Sequence, residues 1–124
     1  MRQANSVGGY RLYPTSPEDA EIAETNVAVR GQFNEGMDRL NTERQLTQRE
    51  QQLIDQLHDD NQLAWDYQSL RATSTQLWQQ ALAKQQQLNQ GIIAGPYTTN
   101  QLGLLLNQCA NNWQQLKRNL EEHA

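Results

Sequence analysis

One cysteine, one phenylalanine, two histidines and three prolines are all that this 124-residue chain has of those residue types, and each shortage removes a class of protein. A single thiol, Cys109, can form no internal disulfide and no paired-cysteine zinc motif, so small braced or metal-folded scaffolds are excluded. No apolar run approaches the eighteen or so residues of a membrane span, and MRQANSVGGYRLYP lacks the apolar centre of a signal peptide. Synthesis in the cytoplasm is the expectation, with incorporation into a larger particle or apparatus left open.

Groups that do chemistry are equally sparse. The sequence has no glycine-rich phosphate loop and no arguable Ser-His-Asp order. His58 stands among Asp55, Asp59 and Asp60, and a helical His/Asp pair three residues apart can hold a metal weakly. Two ligands make no site without others, so a solvated charged turn is the simpler account. Cys109 has no charged neighbour in sequence and sits at a seam position, which makes it a small core residue. No catalytic residue, metal ligand or cofactor is therefore expected, and the chain reads as non-enzymatic.

What the sequence does have is helix. From Thr47 to Gln90 it carries neither proline nor glycine. Thr47 and Glu50 have the spacing of a capping box, and Gly91 with Gly95-Pro96 supplies the stop. The stretch reads as one helix, roughly 65 Å long at about 1.5 Å per residue. Leu63, Tyr67, Leu70, Ser74, Leu77, Ala81, Lys84 and Leu88 alternate in steps of four and three, as a coiled-coil seam does. The earlier pair Leu53 and Leu57 is out of phase: ten residues separate Leu53 from Leu63, which rotates the stripe by roughly 80°. Either the two halves of this helix face different partners, or one seam contains a phase irregularity.

Two further helices flank it. Ser16-Pro17-Glu18-Asp19 combines an N-cap serine, a first-turn proline and acids at the positive end of the helix dipole. The stripe that follows is Ile22, Asn26, Val29, Phe33, Gly36 and Leu40, with the helix ending between Leu40 and Gln45. Gly36 in this seam admits close approach of another backbone, and Gly31 and Gly36 each weaken the helix by about 1 kcal/mol, which favours a bend. After the turn at Gly91–Tyr97, Thr98 or Thr99 caps a last helix whose stripe is uninterrupted: Leu102, Leu106, Cys109, Trp113, Leu116 and Leu120. A loop this short folds it back antiparallel along Leu63–Leu88. The expected fold is all-α: an elongated helical hairpin or coiled-coil bundle of three helices, about 17–44, 48–90 and 99–122. The first helix would pack on the front half of the long one or reach a second chain. Residues 1–15 form an extended arm, and 16–124 a single domain.

Charge is divided. Residues 18–66 hold twelve acids and four arginines, a balance of −8, whereas Tyr67–Leu120 has no acid against Arg71, Lys84, Lys117 and Arg118, a balance of +4. The division suits antiparallel docking or an unlike partner, and it also suits an uneven solvated face. Glutamine clusters at 51–52, 79–80, 85–87 and 114–115, and asparagine joins it at 107, 111, 112 and 119. Amides donate and accept at once, which fits hydrogen-bonded contacts in an assembly or simply a soluble face. A hydrophobic content of 36% and a mean hydropathy of −0.90 are low for a compact fold and fit paired helices that complete their burial in an oligomer. Disorder is the competing reading, against which the regular stripes speak.

The chain is thus expected to work by binding proteins, as a homo-oligomer or a member of a hetero-assembly: a structural subunit, adaptor or chaperone of the virion or secretion-machine type. Candidate partner-binding residues are Tyr10, Arg11 and Tyr13 on the arm, then Phe33, Trp65, Trp78 and Trp113. Trp65 lies off the seam, so it is an intersubunit contact or merely half-buried. A regulatory factor that binds nucleic acid, or a nucleic-acid enzyme, through the basic half is the alternative. Four cations on a chain with a pI near 5.0 make a poor footprint for it.

Overall fold

The computed structural model describes the backbone over residues 17–90 and 96–124, and side chains over 27–90 and 98–124. Four helices account for most of it: α1 (Pro17–Glu43), α2 (Gln48–Asp55), α3 (Gln62–Asn89) and α4 (Pro96–His123). No strand occurs among the described residues. The expected arm, with Tyr10, Arg11 and Tyr13, and the capping Ser16 lie outside them. α1 starts at the expected proline and passes through Gly31 and Gly36 as one continuous helix to Glu43.

The single helix expected over 48–90 is two. α2 opens on the anticipated capping box: the Glu50 backbone N–H donates to Thr47 Oγ1 at 3.1 Å, and the Thr47 N–H donates to Glu50 Oε1 at 2.8 Å. It ends at Asp55, and α3 begins afresh behind an N-cap, Asn61, whose side-chain oxygen accepts from the Leu63 N–H at 2.9 Å. Asp59, Asp60 and Asn61 explain the break locally, because short polar side chains bond their own backbone and compete with the helix ladder. Packing explains it globally. Leu53, Ile54 and Leu57 on one side, and Leu63, Tyr67 and Leu70 on the other, all pack on the same core. A straight helix would have turned one set about 80° away from it. The reversal between the halves removes that conflict.

α4 begins at Pro96, earlier than the expected cap at Thr98 or Thr99, because proline is pre-set for the first helical position. Thr99 is consequently a buried side chain in the first turns rather than a cap. All six stripe residues of α4, Leu102, Leu106, Cys109, Trp113, Leu116 and Leu120, are buried. α4 is the element on which α1, α2 and α3 all pack. Against α3 it runs antiparallel, with Tyr67 against Trp113, Ser74 against Cys109 and Asn61 near His123.

The principal neighbour of α1 is also α4, not the front of the long helix. Arg39 Nη2 donates to Asn111 Oδ1 at 2.6 Å, Lys117 Nζ donates to the Gln45 carbonyl at 2.9 Å, and just beyond α1, Arg49 Nε meets Glu121 Oε1 at 3.0 Å. Positions on α4 rise as those from Arg39 to Arg49 rise, so α1 and α4 run parallel. Close approach is licensed by glycines. A Cβ at Gly36 would lie 2.8 Å from Leu106 Cβ, and one at Gly103 would lie 3.3 Å from the Phe33 backbone. Phe33, Leu40, Leu106 and Leu120 are the largest fully buried side chains.

Candidate interaction surface

Polar or uncovered groups gather at several places in the bundle, three of which involve α4. The first is internal. Ser74 holds a seam position on α3 and is buried, with its Oγ donating to the Leu70 carbonyl at 2.7 Å and accepting from Trp113 Nε1 at 2.7 Å. Cys109 Sγ lies 3.1 Å from the same oxygen. A serine there lets an indole be buried without orphaning its N–H. Burial pushes the Cys109 thiol above its ordinary value, and the Ser74 hydrogen bond offsets this in part. A thiol held protonated is a packing group, not a nucleophile.

The second is a recess of about 270 Å³ where the α1–α2 connection meets α3 and α4, lined by Arg44, Gln45, Leu46, Tyr67, Arg71, Ser74, Thr75 and Trp113. The Arg44 guanidinium lies over the Trp78 ring, 4.5 Å from its centre, a cation–π contact. Polar links elsewhere tie α1 to α4: Arg39 Nη1 donates to Asn107 Oδ1 at 3.1 Å, Asn107 Nδ2 donates to the Gln32 carbonyl at 3.4 Å, and Gln114 Nε2 donates to Glu43. Lys117 Nζ lies 3.7 Å from the same Glu43 carboxylate.

The third is a groove of about 350 Å³ between α3 and α4 on the side away from α1. Leu70 and Leu116 lie in it, and Asp66, Ser69, Thr73, Asn112, Gln115 and Asn119 wall it. Trp65, about 100° round α3 from Asp66, is 62% exposed and does not line it. Leu105 stands seven residues, two helical turns, before Asn112 and so on the same flank of α4. It is 42% exposed, and its neighbour Leu104 is 52% exposed.

The aromatic candidates are thereby separated. Phe33 and Trp113 are consumed by the internal core, and Trp113 makes an edge-to-face contact with Tyr67 at 6.1 Å between ring centres. Trp78 is half-buried beneath Arg44. Only Trp65 among the described candidates is turned outward. Leu104 and Leu105 escaped notice, although the run Leu104-Leu105-Leu106 carries the signal. Successive residues turn about 100°, so once Leu102 and Leu106 define the buried face the two between them must lie outside it. His58 is exposed, and among the described residues no three His, Cys, Asp or Glu side chains converge as metal ligands would. None of the described helices is long and apolar enough to cross a membrane. No family model matches the chain, and no curated protein or solved structure is significantly similar to it.

Proposed function

We propose that this chain is a non-enzymatic helical protein that acts by binding other proteins, as a structural subunit, adaptor or chaperone of a larger assembly such as a virion or a secretion apparatus. The observation that carries the reading is Trp65, the large aromatic left 62% exposed on α3 in a chain that buries Phe33 and Trp113 completely or nearly so. Of the roughly 250 Å² a tryptophan can bury, about 150 Å² stays in water, and covering it at about 25 cal/mol per Å² contributes up to about 4 kcal/mol to an interface. Helix-on-helix packing of the coiled-coil kind is the proposed mode, with amides around the groove supplying specificity.

The nucleic-acid alternative draws less support. Of the four cations in the basic half, Lys84 is buried, Lys117 is engaged by Gln45 and Glu43, and Arg118 bonds Gln115. A phosphate-tracking stripe needs such groups free. The binding role is tested by placing a photo-crosslinking amino acid at position 65 in producing cells, with exposed Glu35 on α1 as the control site. A discrete adduct from position 65 that is absent from position 35 is expected. Equal yields at both, or none at either, would remove the proposal.

A further inference from the structure

The recess where the α1–α2 connection meets α3 and α4 brings two cations to one place and no acid. Arg44 enters from the connection and Arg71 from α3, and no carboxylate lines the remainder. Its floor includes Ser74 and Trp113, 2% and 3% exposed, so it is a concavity that reaches the packed interior. Tyr67, Arg71 and Thr75 recur at intervals of four and so climb one flank of α3 over about 12 Å. An arginine on a helix can be neutralised by an acid three or four residues away. Arg71 has Tyr67, Gln68, Ser74 and Thr75 at those positions, and Arg44 has Leu40, Asn41, Thr47 and Gln48. The ion pairs among the described residues are Arg49 with Glu121 and Lys117 with Glu43, and neither Arg44 nor Arg71 belongs to one.

The hydroxyls of the wall are already engaged. Ser74 Oγ donates to the Leu70 carbonyl and accepts from Trp113 Nε1, and Thr75 Oγ1 donates to the Arg71 carbonyl at 3.0 Å. The contact of Arg44 with Trp78 uses the face of the guanidinium and leaves the in-plane N–H donors at its edge. Two like charges on one concavity repel each other, and an anion seated between them removes that cost. Forked donors on two different elements also select among anions. A carboxylate has two oxygens, which a single arginine fork fills, whereas a phosphate monoester presents three terminal oxygens and nearly two negative charges at pH 7. Two cations without a continuing stripe suit one phosphoryl group and not a nucleic-acid backbone. The volume of about 270 Å³ falls below the ~300–1,000 Å³ usual for ligand pockets, so the organic part is small. Leu46, Tyr67 and Trp113 give it an apolar and aromatic surface to lie against.

We infer that this recess binds a small organic phosphate monoester, with Arg44 and Arg71 taking the phosphoryl oxygens from two sides and Tyr67 and Trp113 flanking the organic group. A ligand held in this way bridges the α1–α2 connection to α3. The inference goes beyond the protein-binding role proposed above and does not rest on it, since Trp65, which carries that role, does not line the recess.

Titration of phenyl phosphate into the nitrogen-15-labelled full chain, at a constant ionic strength of about 0.15 M, tests it by nuclear magnetic resonance. Each of the three tryptophans contributes its own indole N–H signal. Those of Trp78 and Trp113 should shift with one saturable dissociation constant below about 1 mM, and that of Trp65 should stay in place. Arg71 is exposed, so Arg71→Gln should weaken binding at least about tenfold while leaving thermal melting of the free chain unchanged. Arg118→Gln, at an exposed cation outside the recess, should leave binding as it was. Benzoate and inorganic phosphate should each bind at least about tenfold more weakly than phenyl phosphate, the first for want of oxygens and charge, the second for want of the ring. The absence of a saturable shift, equal weakening by Arg71→Gln and Arg118→Gln, or indifference to both overturns the inference. Benzoate as tight as phenyl phosphate overturns the phosphate assignment, and inorganic phosphate as tight overturns the organic one.

Discussion

Adding one methyl group to each of two glycines in α1 should move stability in opposite directions. At Gly31 a Cβ meets nothing within 4 Å, so Gly31→Ala gains only the helix propensity of alanine, about 1 kcal/mol of stabilisation. At Gly36 the same atom would lie 2.8 Å from Leu106 Cβ and 3.1 Å from the Gly103 carbonyl oxygen. Neither is the far end of a flexible side chain. The helices must separate, and overpacking of this kind costs about 1–3 kcal/mol, against which the same propensity gain is set. The net is about 1 kcal/mol of destabilisation, and the two variants should differ by about 2 kcal/mol. For a domain of this size that is a difference in Tm of about 10 °C. Urea unfolding followed by far-UV circular dichroism, read beside thermal melts, measures it. Equal stability of the two alanine variants would mean that α1 and α4 do not cross at Gly36, and the parallel packing described above would have to be abandoned.

Other substitutions probe the remaining contacts. Ser74→Ala strands the buried Trp113 N–H and should cost about 1–3 kcal/mol in urea unfolding, whereas Thr75→Ala, which removes only an exposed bond to the Arg71 carbonyl, should cost much less. Asn61→Ala removes the cap of α3 and should lower stability by about 1 kcal/mol in the same assay, with an unchanged result counting against the break at that point. Because Cys109 has its pKa raised in the fold from an ordinary 9.0, only the unfolded chain ionises as pH climbs past that value. Its contribution to stability should be full below pH 9.0 and decline above it, and Cys109→Ala should abolish that part of the decline in unfolding measured across the range.

Periodicity was the most informative property of the sequence. Val29, Phe33, Gly36 and Leu40, and the whole α4 stripe, face inward as their spacing requires, because a helical period of 3.6 leaves only one arc to bury. Ser74 and Lys84, polar residues in an apolar seam, are buried where the period places them. The end of α2 is half legible: the change of phase between Leu53 and Leu63 marks a conflict, but two partners or a seam irregularity would resolve it as well as a break does. Propensity alone gave no decisive stop, since aspartate and asparagine are tolerated in helices until packing tips the balance. The partner of α1 was not legible at all. Gly103 and the Arg39–Asn107–Asn111 links that fix the α1–α4 pair lie on a flank of α4 that no apolar stripe marks. Of the candidate surface, Trp65 announces itself by leaving the seam, and the α3–α4 groove does not, because amides and hydroxyls look alike whether they line a cleft or face open water.

The parallel partnership of α1 with α4 also sets an order of events during synthesis. Gln45 and Lys117, or Arg49 and Glu121, are 72 residues apart along the chain. Contacts that distant must wait for α2 and α3 to be made, and closing such long loops slows folding. Until α4 emerges, the side of α1 that carries Phe33 and Leu40 has no lasting cover, so a nascent chain stalled before that point is a ready client for a holdase. The α3–α4 hairpin, by contrast, can form as soon as its own two strokes are complete and offers the template onto which α1 returns.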